Sequence, residues 1–374
     1  MNILVTGAHG FIGSNLIANL RAQNSNDATI FSYDQDSTEE ELREYCQSAD
    51  FVFHLAGINR PKDAKEFYEG NTDLTHQVLG YLEEYENRCP VLLSSSIQAA
   101  LDNDYGKSKH QAEEALLDYG KRHGSPVHVY RLPGVFGKWC RPNYNSVVAT
   151  FCYKVAHGEE VQVNGRETAL TLVYIDDVVN EFIACLKGSP HQTDEDFCSV
   201  PTTHDTTLGE LIDCIESFRD SRSTLAIANM SNGLEKKLYS TYLSYLPEGA
   251  FSYPVKMNRD ERGSFTELFK SPERGQVSVN ITKPGIVKGQ HWHNTKTEKF
   301  VVVSGEAIIR FRKIGQSEVI TYKVSGDALE VVDIPVGYTH SIENVGQDDM
   351  VALIWCNEVF NPDTPDTNFE KVLP

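Results

Sequence analysis

The sequence predicts two folds in one chain, an α/β doubly wound parallel sheet over residues 1–250 and an all-β sandwich or barrel over residues 251–374. Three observations predict this. Short apolar runs alternate with amphipathic stretches in the first half, the pattern of strands crossing over through helices. A glycine-rich turn, "TGAHGFIG", joins the first strand pattern to the first helix pattern. After about residue 255 the apolar residues recur with period 2, and no long helical pattern interrupts them. At 374 residues the chain also exceeds one ordinary core, so two domains are expected.

In chain order, "NILVTG" (2–7), "ADFVFHLAG" (49–57), "PVLLSSS" (90–96) and "VHVYRL" (127–132) read as buried strands. "FIGSNLIANLRAQ" (11–23), "NTDLTHQVLGYLEEYE" (71–86) and "SKHQAEEALLDYGKRHG" (108–124) space Leu, Ile and Val as helices do. "TYLSYLPEGAFSYPVK" (241–256) carries two Pro and a Gly, which places the domain boundary near residues 247–255. "QVSVNIT", "KFVVVSGEAIIRFRK", "VITYKV" and "MVALIW" then read as strands separated by Gly, Pro, Asp and Ser turns.

Composition narrows the function classes. A net charge of −19 and a pI near 5.0 repel polyphosphate chains, which argues against nucleic-acid binding and requires a local positive pocket for any phosphate ligand. No apolar run approaches the roughly 20 residues of a membrane helix. The chain enters its first strand pattern directly, so no signal peptide is read. Eight scattered Cys without a CxxC pair fit free thiols in a reducing cytoplasm rather than a disulfide framework.

In the glycine turn, Gly7 permits the tight bend, Gly10 lets the backbone approach a pyrophosphate, and Gly13 allows close packing of helix on sheet. The helix N-terminus then offers free N–H groups to the anion, which points to a nicotinamide dinucleotide and a Rossmann-type sheet. Asp34 lies about 20 residues further on, at a strand end, where a carboxylate holds a ribose hydroxyl and disfavours a 2′-phosphate. On that reading alone the cofactor is NAD rather than NADP. Tyr105 and Lys109 stand four apart on one helical face, a spacing that lets an ammonium lower the pKa of a proton-donating phenol. A Ser hydroxyl from "LLSSSIQA" would polarise the same carbonyl oxygen.

This constellation resembles the nucleotide-sugar branch of the extended short-chain dehydrogenase/reductase family. The matching pieces are "TGAHGFIG", "HLAG" (54–57), Asn71 in "GNTDLT", "SSS" (94–96), "YGKSK" (105–109), "RLPGVFG" (131–137) and "YIDDVV" (174–179). The resemblance implies Ser96, Tyr105 and Lys109 as catalytic residues, Tyr105 being the acid and Lys109 the ribose-holding partner. It implies cofactor contacts at Phe11, Ile12, Leu55, Ala56, Gly57 and Asn71, beside the glycines and Asp34. The chain has Gly134 where the family often has Asn, and "LTLVY" (170–174) where it often has an Arg-Asp-aromatic run. Those positions commonly touch the sugar nucleotide. Arg131, Lys138, Arg141 and Arg166 are the available diphosphate partners.

In "GIVKGQHWHNTKTEKFVVVSG" (285–305), His291, His293 and Glu298 stand at a metal-ligand spacing, and residues two apart on a strand share a face. With its flanking glycines Gly285 and Gly305, this stretch resembles the first cupin motif, and "PVGYTHSIEN" (335–344) resembles the second, adding His340. Three imidazoles and a carboxylate suit Zn²⁺, with iron, manganese and nickel open. Such a metal is either structural or a Lewis acid that polarises a ketone and stabilises the enolate left when an α-proton is removed. Tyr338 and Lys299 adjoin the ligands in sequence as candidate bases.

A 4-keto sugar links the two halves: its carbonyl acidifies the C3 proton, and the same carbonyl is what a Tyr–Lys–hydride site reduces. The chain as a whole, including "FGKWCRPNYNSVVATFCY", "LYSTYLSYLPEG" and "RGSFTELFKSPERGQVSVNITKPG", resembles a family of bifunctional capsular-polysaccharide enzymes. That resemblance implies C3 epimerisation of a UDP-2-acetamido-2,6-dideoxy-4-hexulose (a UDP-4-keto-6-deoxy-N-acetylhexosamine) by the cupin half. The reductase half would then reduce C4 to UDP-2-acetamido-2,6-dideoxy-L-talose, towards UDP-N-acetyl-L-fucosamine. It further implies NADPH, zinc and a homodimer, so NADP is expected with NAD open. Two alternatives stand beside it: a single-activity 4-ketoreductase with a structural or dimerising cupin, and a non-enzymatic redox or sugar sensor.

Overall fold

The computed structural model describes residues 1–23, 28–194 and 196–373. The chain divides into two compact units, Met1–Glu216 with Met230–Pro247, and Ser217–Asn229 with Glu248–Pro374. No helix among the described residues is long and apolar enough to cross a membrane.

The strands of the first unit are β1 (Asn2–Thr6), β2 (Thr29–Tyr33), β3 (Phe51–His54), β4 (Val91–Ser96), β5 (Val127–Leu132), β6 (Gly134–Phe136), β7 (Ala169–Tyr174), β8 (Phe197–Cys198) and β9 (His204–Thr207). Six of them form a parallel sheet in the order β2-β1-β3-β4-β5-β8, and β6-β7-β9 form a small second sheet. The predicted doubly wound architecture is present because each central strand feeds two cores. Ile3, Val5, Phe53, Leu92 and Tyr130 face α1 (Phe11–Ala22) and the later helix Ile175–Leu186 on one side. Leu4, Val52, Leu93 and Val129 face α2 (Glu39–Ser48) and the helices Leu74–Glu84 and Asp104–His123 on the other. Burial on both faces explains why these strands read as continuous apolar runs.

Between α3 (Lys65–Phe67) and α4 (Leu74–Glu84) the chain forms a π-helical turn, Tyr68–Asp73, where the sequence predicts plain helix from Asn71. The next helix, α5 (Asp104–His123), is capped by the Asn103 side chain and stopped by Gly124 at φ +69°. Its buried face contains Ser108, Lys109 and Glu113 among Ala112, Leu116 and Tyr119. Polar groups inside a helix–sheet interface mark the place to look for chemistry.

In the second unit, β10 (Met257–Asp260), β11 (Gly263–Ser271), β12 (Gly275–Thr282), β13 (Val287–Trp292), β14 (Glu298–Ser304), β15 (Glu306–Lys313), β16 (Val319–Ser325), β17 (Val331–Ile334), β18 (Tyr338–Asn344), β19 (Met350–Cys356) and β20 (Asn368–Phe369) form two antiparallel sheets. Their orders are β10-β11-β12-β19-β14-β17 and β16-β15-β18-β13-β20. Phe300, Val302, Ile309, Phe311, Ile334, Ile342 and Ile354 fill the space between the inner faces. This is the all-β unit that the period-2 pattern predicts, and it is of the cupin type that the two motifs resemble.

Candidate active sites

The parallel sheet reverses its winding between β1 and β3, and ligands of such sheets bind beyond the carboxyl ends of the strands at that point. Gly7 follows β1 at φ +67°, and a Cβ on it would lie 2.7 Å from the Ala56 nitrogen, so the turn and the chain after β3 are in contact. Gly10 caps α1 with no side-chain acceptor, and no acidic residue stands in the first turn, whereas α2 and α5 are capped by Thr38 and Asn103. The first-turn amides of Phe11, Ile12 and Gly13 therefore have no side chain competing with an anion. Asp34 sits against the same turn, accepting from the His9 amide at 2.7 Å and the Gln35 amide at 2.9 Å.

The catalytic candidates converge beyond β4. The Ser96 hydroxyl accepts from the Gln98 amide at 3.1 Å and lies near enough to Tyr105 to influence its hydroxyl. Lys109 is 6% exposed, and its Nζ donates to the Ser94 carbonyl at 3.1 Å. Burial lowers the Lys109 pKa to about 8, against the pull of the Glu113 carboxylate. Tyr105 differs from the sequence expectation that an ammonium lowers it. Burial raises its hydroxyl, and the neighbouring Ser96 hydroxyl offsets that only in part. A Cβ on Gly57 would lie 2.7 Å from Asn71 Oδ1 and 2.9 Å from Lys109 Nζ, so glycine is what lets these side chains meet the backbone there. Asn71, on the π-helical turn, donates through Nδ2 to the Ile58 carbonyl and the Ser108 hydroxyl, both at 3.0 Å, and accepts from the Ile58 amide at 3.0 Å.

Sequence reasoning missed what holds Asn71. The Thr75 hydroxyl donates to the Asn71 carbonyl at 2.6 Å, so its oxygen accepts from His54 Nε2 at 2.9 Å. His54 Nδ1 is then the acceptor for the Thr6 hydroxyl at 2.8 Å, and Thr6 in turn accepts from the Ala56 amide at 3.2 Å. One hydroxyl hydrogen on each Thr assigns the tautomer. Burial and the nearby Lys109 charge push the His54 pKa down to about 3, so the ring stays neutral. His54 is visible in "HLAG", but neither Thr carries a sequence signal for this chain of bonds.

The four diphosphate candidates fare unequally. Arg131 is paired with Glu113, its Nη2 donating to Oε2 at 2.6 Å and its Nε to Oε1 at 3.0 Å. Lys138 binds Asp176 at 2.5 Å, and Arg166 binds Asp213 at 2.6 Å. Arg141 stacks over the Tyr144 ring at 5.1 Å and has no carboxylate partner among the described residues.

In the second unit His291 on β13, His293 just beyond it, Glu298 opening β14 and His340 on β18 turn their ligand atoms to within 4.8 Å of one another. Glu298 Oε2 lies 3.3 Å from His293 Nε2 and 3.2 Å from His340 Nε2. His293 Nδ1 donates to the Asp366 carbonyl, which leaves Nε2 for the cage; Asp366 has no spacing signal in the sequence. Burial, with His340 and His293 close by, lowers the His291 pKa to about 4. Burial opposes ionisation of Glu298, but the adjacent imidazoles and the Lys296 ammonium outweigh it and hold the carboxyl far below its usual range. Among the described residues neither nitrogen of the buried His340 ring makes an aligned hydrogen bond, and Nε2 faces Glu298 Oε2 across 3.2 Å. Three imidazoles and a carboxylate whose ligand atoms converge in this way fit a divalent cation such as zinc.

A cavity of about 470 Å³ opens onto His291, Glu298 and His340, lined also by Arg259, Arg262, Lys288, Phe300 and Phe360. Lys299 and Tyr338, the candidate bases from sequence, do not line it. Lys299 alternates with Glu298 on β14, faces the other way and pairs with Asp333. Tyr338 packs against the barrel core.

With the geometry in place, comparison with known proteins is informative. Residues 3–194 match the NAD dependent epimerase/dehydratase family. The chain belongs to that family. Residues 258–368 match the polysaccharide biosynthesis C-terminal domain. Among relatives of the family member described here, a UDP-2-acetamido-2,6-beta-L-arabino-hexul-4-ose reductase of Pseudomonas aeruginosa is 44% identical, the match covering 98% of each chain. The crystal structure of the capsular polysaccharide assembling protein CapF from Staphylococcus aureus superposes over 100% of both chains with a TM-score of 0.93 and 53% identity. A UDP-glucose 4-epimerase of Thermotoga maritima shares the fold of the first part of the family architecture, with a TM-score of 0.55 and 19% identity over 66% of this chain and 98% of its own.

Two outcomes follow from these contacts. Arg131→Ala leaves the Glu113 carboxylate, whose side chain is 1% exposed, without its cation and costs about 3–5 kcal/mol of stability in a denaturant titration. Unchanged stability with only weakened substrate binding would contradict the pairing. His340→Ala lowers the zinc retained after dialysis, read by atomic emission, whereas Lys299→Ala leaves it at the wild-type level.

Proposed function

We propose that this chain is a bifunctional nucleotide-sugar enzyme of surface-polysaccharide synthesis. The second unit epimerises C3 of a UDP-2-acetamido-2,6-dideoxy-4-hexulose. The first unit then reduces the C4 ketone to UDP-2-acetamido-2,6-dideoxy-L-talose, on the route to UDP-N-acetyl-L-fucosamine. The observation that carries this reading is the presence, on one chain, of a half-buried Ser96 and Tyr105 beside the buried Lys109 and of a four-residue His/Glu cluster beside its own cavity. The similarity to the reductase and to CapF along essentially the whole chain supports it.

In the first unit the amides of Phe11, Ile12 and Gly13 receive the cofactor diphosphate, and Asp34, Leu55, Ala56, Gly57 and Asn71 bound its remaining contacts. The reduced nicotinamide supplies hydride to C4 when bound. Tyr105 gives the hydroxyl proton to the carbonyl oxygen, Ser96 donates a hydrogen bond to the same oxygen, and Lys109 holds the ribose. NADPH is the proposed reductant, with NADH the alternative that the Asp34 carboxylate favours. Arg141 is the diphosphate candidate whose charge is not already engaged by a carboxylate.

In the second unit His291, His293, Glu298 and His340 would hold zinc, whose Lewis acidity stabilises negative charge on the ketone oxygen. Epimerisation precedes reduction because the C3 proton is acidic only while C4 is a ketone. We place the enzyme in the cytoplasm as a homodimer. A second reading, a 4-ketoreductase whose cupin unit is structural, is favoured by the Pseudomonas relative, which is named for reduction alone.

Tyr105→Phe lowers ketone reduction by about 10²–10⁴-fold with cofactor affinity by fluorescence titration unchanged; near-normal reduction would remove Tyr105 as the acid. Lys109 acts as an ammonium and its pKa is lowered to about 8. Reductive kcat/KM is therefore full below that value and falls as pH rises through it. A profile flat to pH 10 would contradict the role of the ammonium.

A further inference from the structure

Removal of a C3 proton needs a base, and neither sequence candidate lines the cavity. The register of β13 supplies another. His291 pairs with His340 and Lys288 pairs with Ile342, and the pairing shifts between Gly289 and His291. His340 and Ile342 are two apart on β18, so they face the same side, and so must Lys288 and His291, although they are three apart. A β-bulge at Gly289 and Gln290 makes this possible, with φ of +92° and +67°. Gly289 is required there, since a Cβ would lie 2.9 Å from the His340 carbonyl oxygen. Gln290, a non-glycine residue in the left-handed region, is held by the C-terminal segment: its Oε1 accepts from the Val372 amide at 2.8 Å and its carbonyl from the Glu370 amide at 2.9 Å. Strain of this kind is kept where it re-aims a side chain, and the side chain re-aimed here is Lys288.

Lys288 lines the cavity together with His291, Glu298 and His340. Its Nζ reaches the opposite sheet, donating to Asn280 Oδ1 at 2.7 Å and to the Ile281 carbonyl at 2.9 Å, which leaves one position on the nitrogen uncommitted. Burial lowers its pKa, Asp260 raises it and Arg262 lowers it; Arg259 and Glu267 also face the cavity. The other candidates are engaged. Lys296 Nζ lies 3.5 Å from Glu298 Oε1, the Cys356 thiol donates to that oxygen at 3.2 Å, and Glu267 pairs with Lys270 at 2.8 Å. An amine is also a stronger base than the Glu267 and Glu358 carboxylates.

Resting on the epimerisation reading above, we infer that Lys288 is the catalytic base of the second unit. Its neutral amine takes the C3 proton: the C3–H bond breaks, its electron pair forms the C3=C4 bond, the C4=O π pair moves onto oxygen, and Nζ becomes the ammonium. A proton from water delivered to the opposite face of C3 completes the inversion.

The test follows C3–H exchange by NMR for the full-length, zinc-loaded protein with the UDP-4-keto sugar in D₂O and no reduced nicotinamide. Wild type, Lys288→Met and Lys288→Arg are compared, with zinc content and Tm measured on each. Wild type exchanges, and both variants lose at least ~100-fold of the rate at wild-type zinc content and Tm, because arginine keeps the charge but cannot act as a base near neutral pH. Exchange in Lys288→Arg within tenfold of wild type would overturn the assignment. Loss that appears only together with loss of zinc or a lower Tm would also overturn it, in favour of a bridging role. Absence of exchange in wild type itself would instead defeat the epimerase reading on which the inference rests.

Discussion

Burying a polar group without enough partners costs free energy, and both candidate sites are built on that constraint. The Lys109 ammonium is buried with a single carbonyl acceptor, and the His340 ring is buried with neither nitrogen hydrogen-bonded. Other interior groups are paired, as the Arg131–Glu113 pair and the Asn344 side chain, which donates to the Thr282 and Asp348 carbonyls, illustrate, while Asn15 Oδ1, Asn59 Oδ1 and Ser125 Oγ are buried without partners among the described residues. On the proposed function, ribose oxygens would complete the bonding of Lys109 and a divalent cation that of His340.

Hydrogen-bonded neighbours surround each of these groups. Around Lys109 the support is the directed chain from the Ala56 amide through Thr6, His54 and Thr75 to the Asn71 carbonyl. It ties β1, β3 and α4 together, and the Asn71 side chain extends it to Ser108 on α5, whose hydroxyl donates to the Tyr105 carbonyl at 2.8 Å. Around His340 the support is the C-terminal segment. The Asp366 carbonyl orients His293, its carboxylate accepts from the Asn294, Thr295 and Lys296 amides, and Glu370 and Val372 pin the bulge next to His291. In both units, then, rigid neighbours present a few under-bonded groups to a ligand, the arrangement that gives pre-organised catalysis its leverage.

What the sequence shows and hides follows from how far each contact reaches along the chain. Ile3/Val5 against Leu4, and Glu298/Phe300 against Lys299, are local period-2 facts, so strands and their faces can be read directly. The glycine turn and the His291–His293–Glu298 run are local too. Arg131 and Lys138 look free in sequence because Glu113 and Asp176 reach them only through the fold. The π-helical turn at Tyr68–Asp73 is invisible because its sequence is ordinary helix. Lys288 is hidden most effectively, since an odd spacing from His291 places it on the outer face of any regular strand, and only the bulge reverses that.

The central claim is that one carbonyl serves both units, acidifying C3 in the second and receiving hydride in the first. Its most direct measurement is product NMR on the intact protein given the UDP-4-keto sugar and NADPH in D₂O. The account predicts an alcohol at C4 with deuterium at C3 and the C3 configuration inverted. An alcohol that keeps protium and the starting configuration at C3 would contradict it.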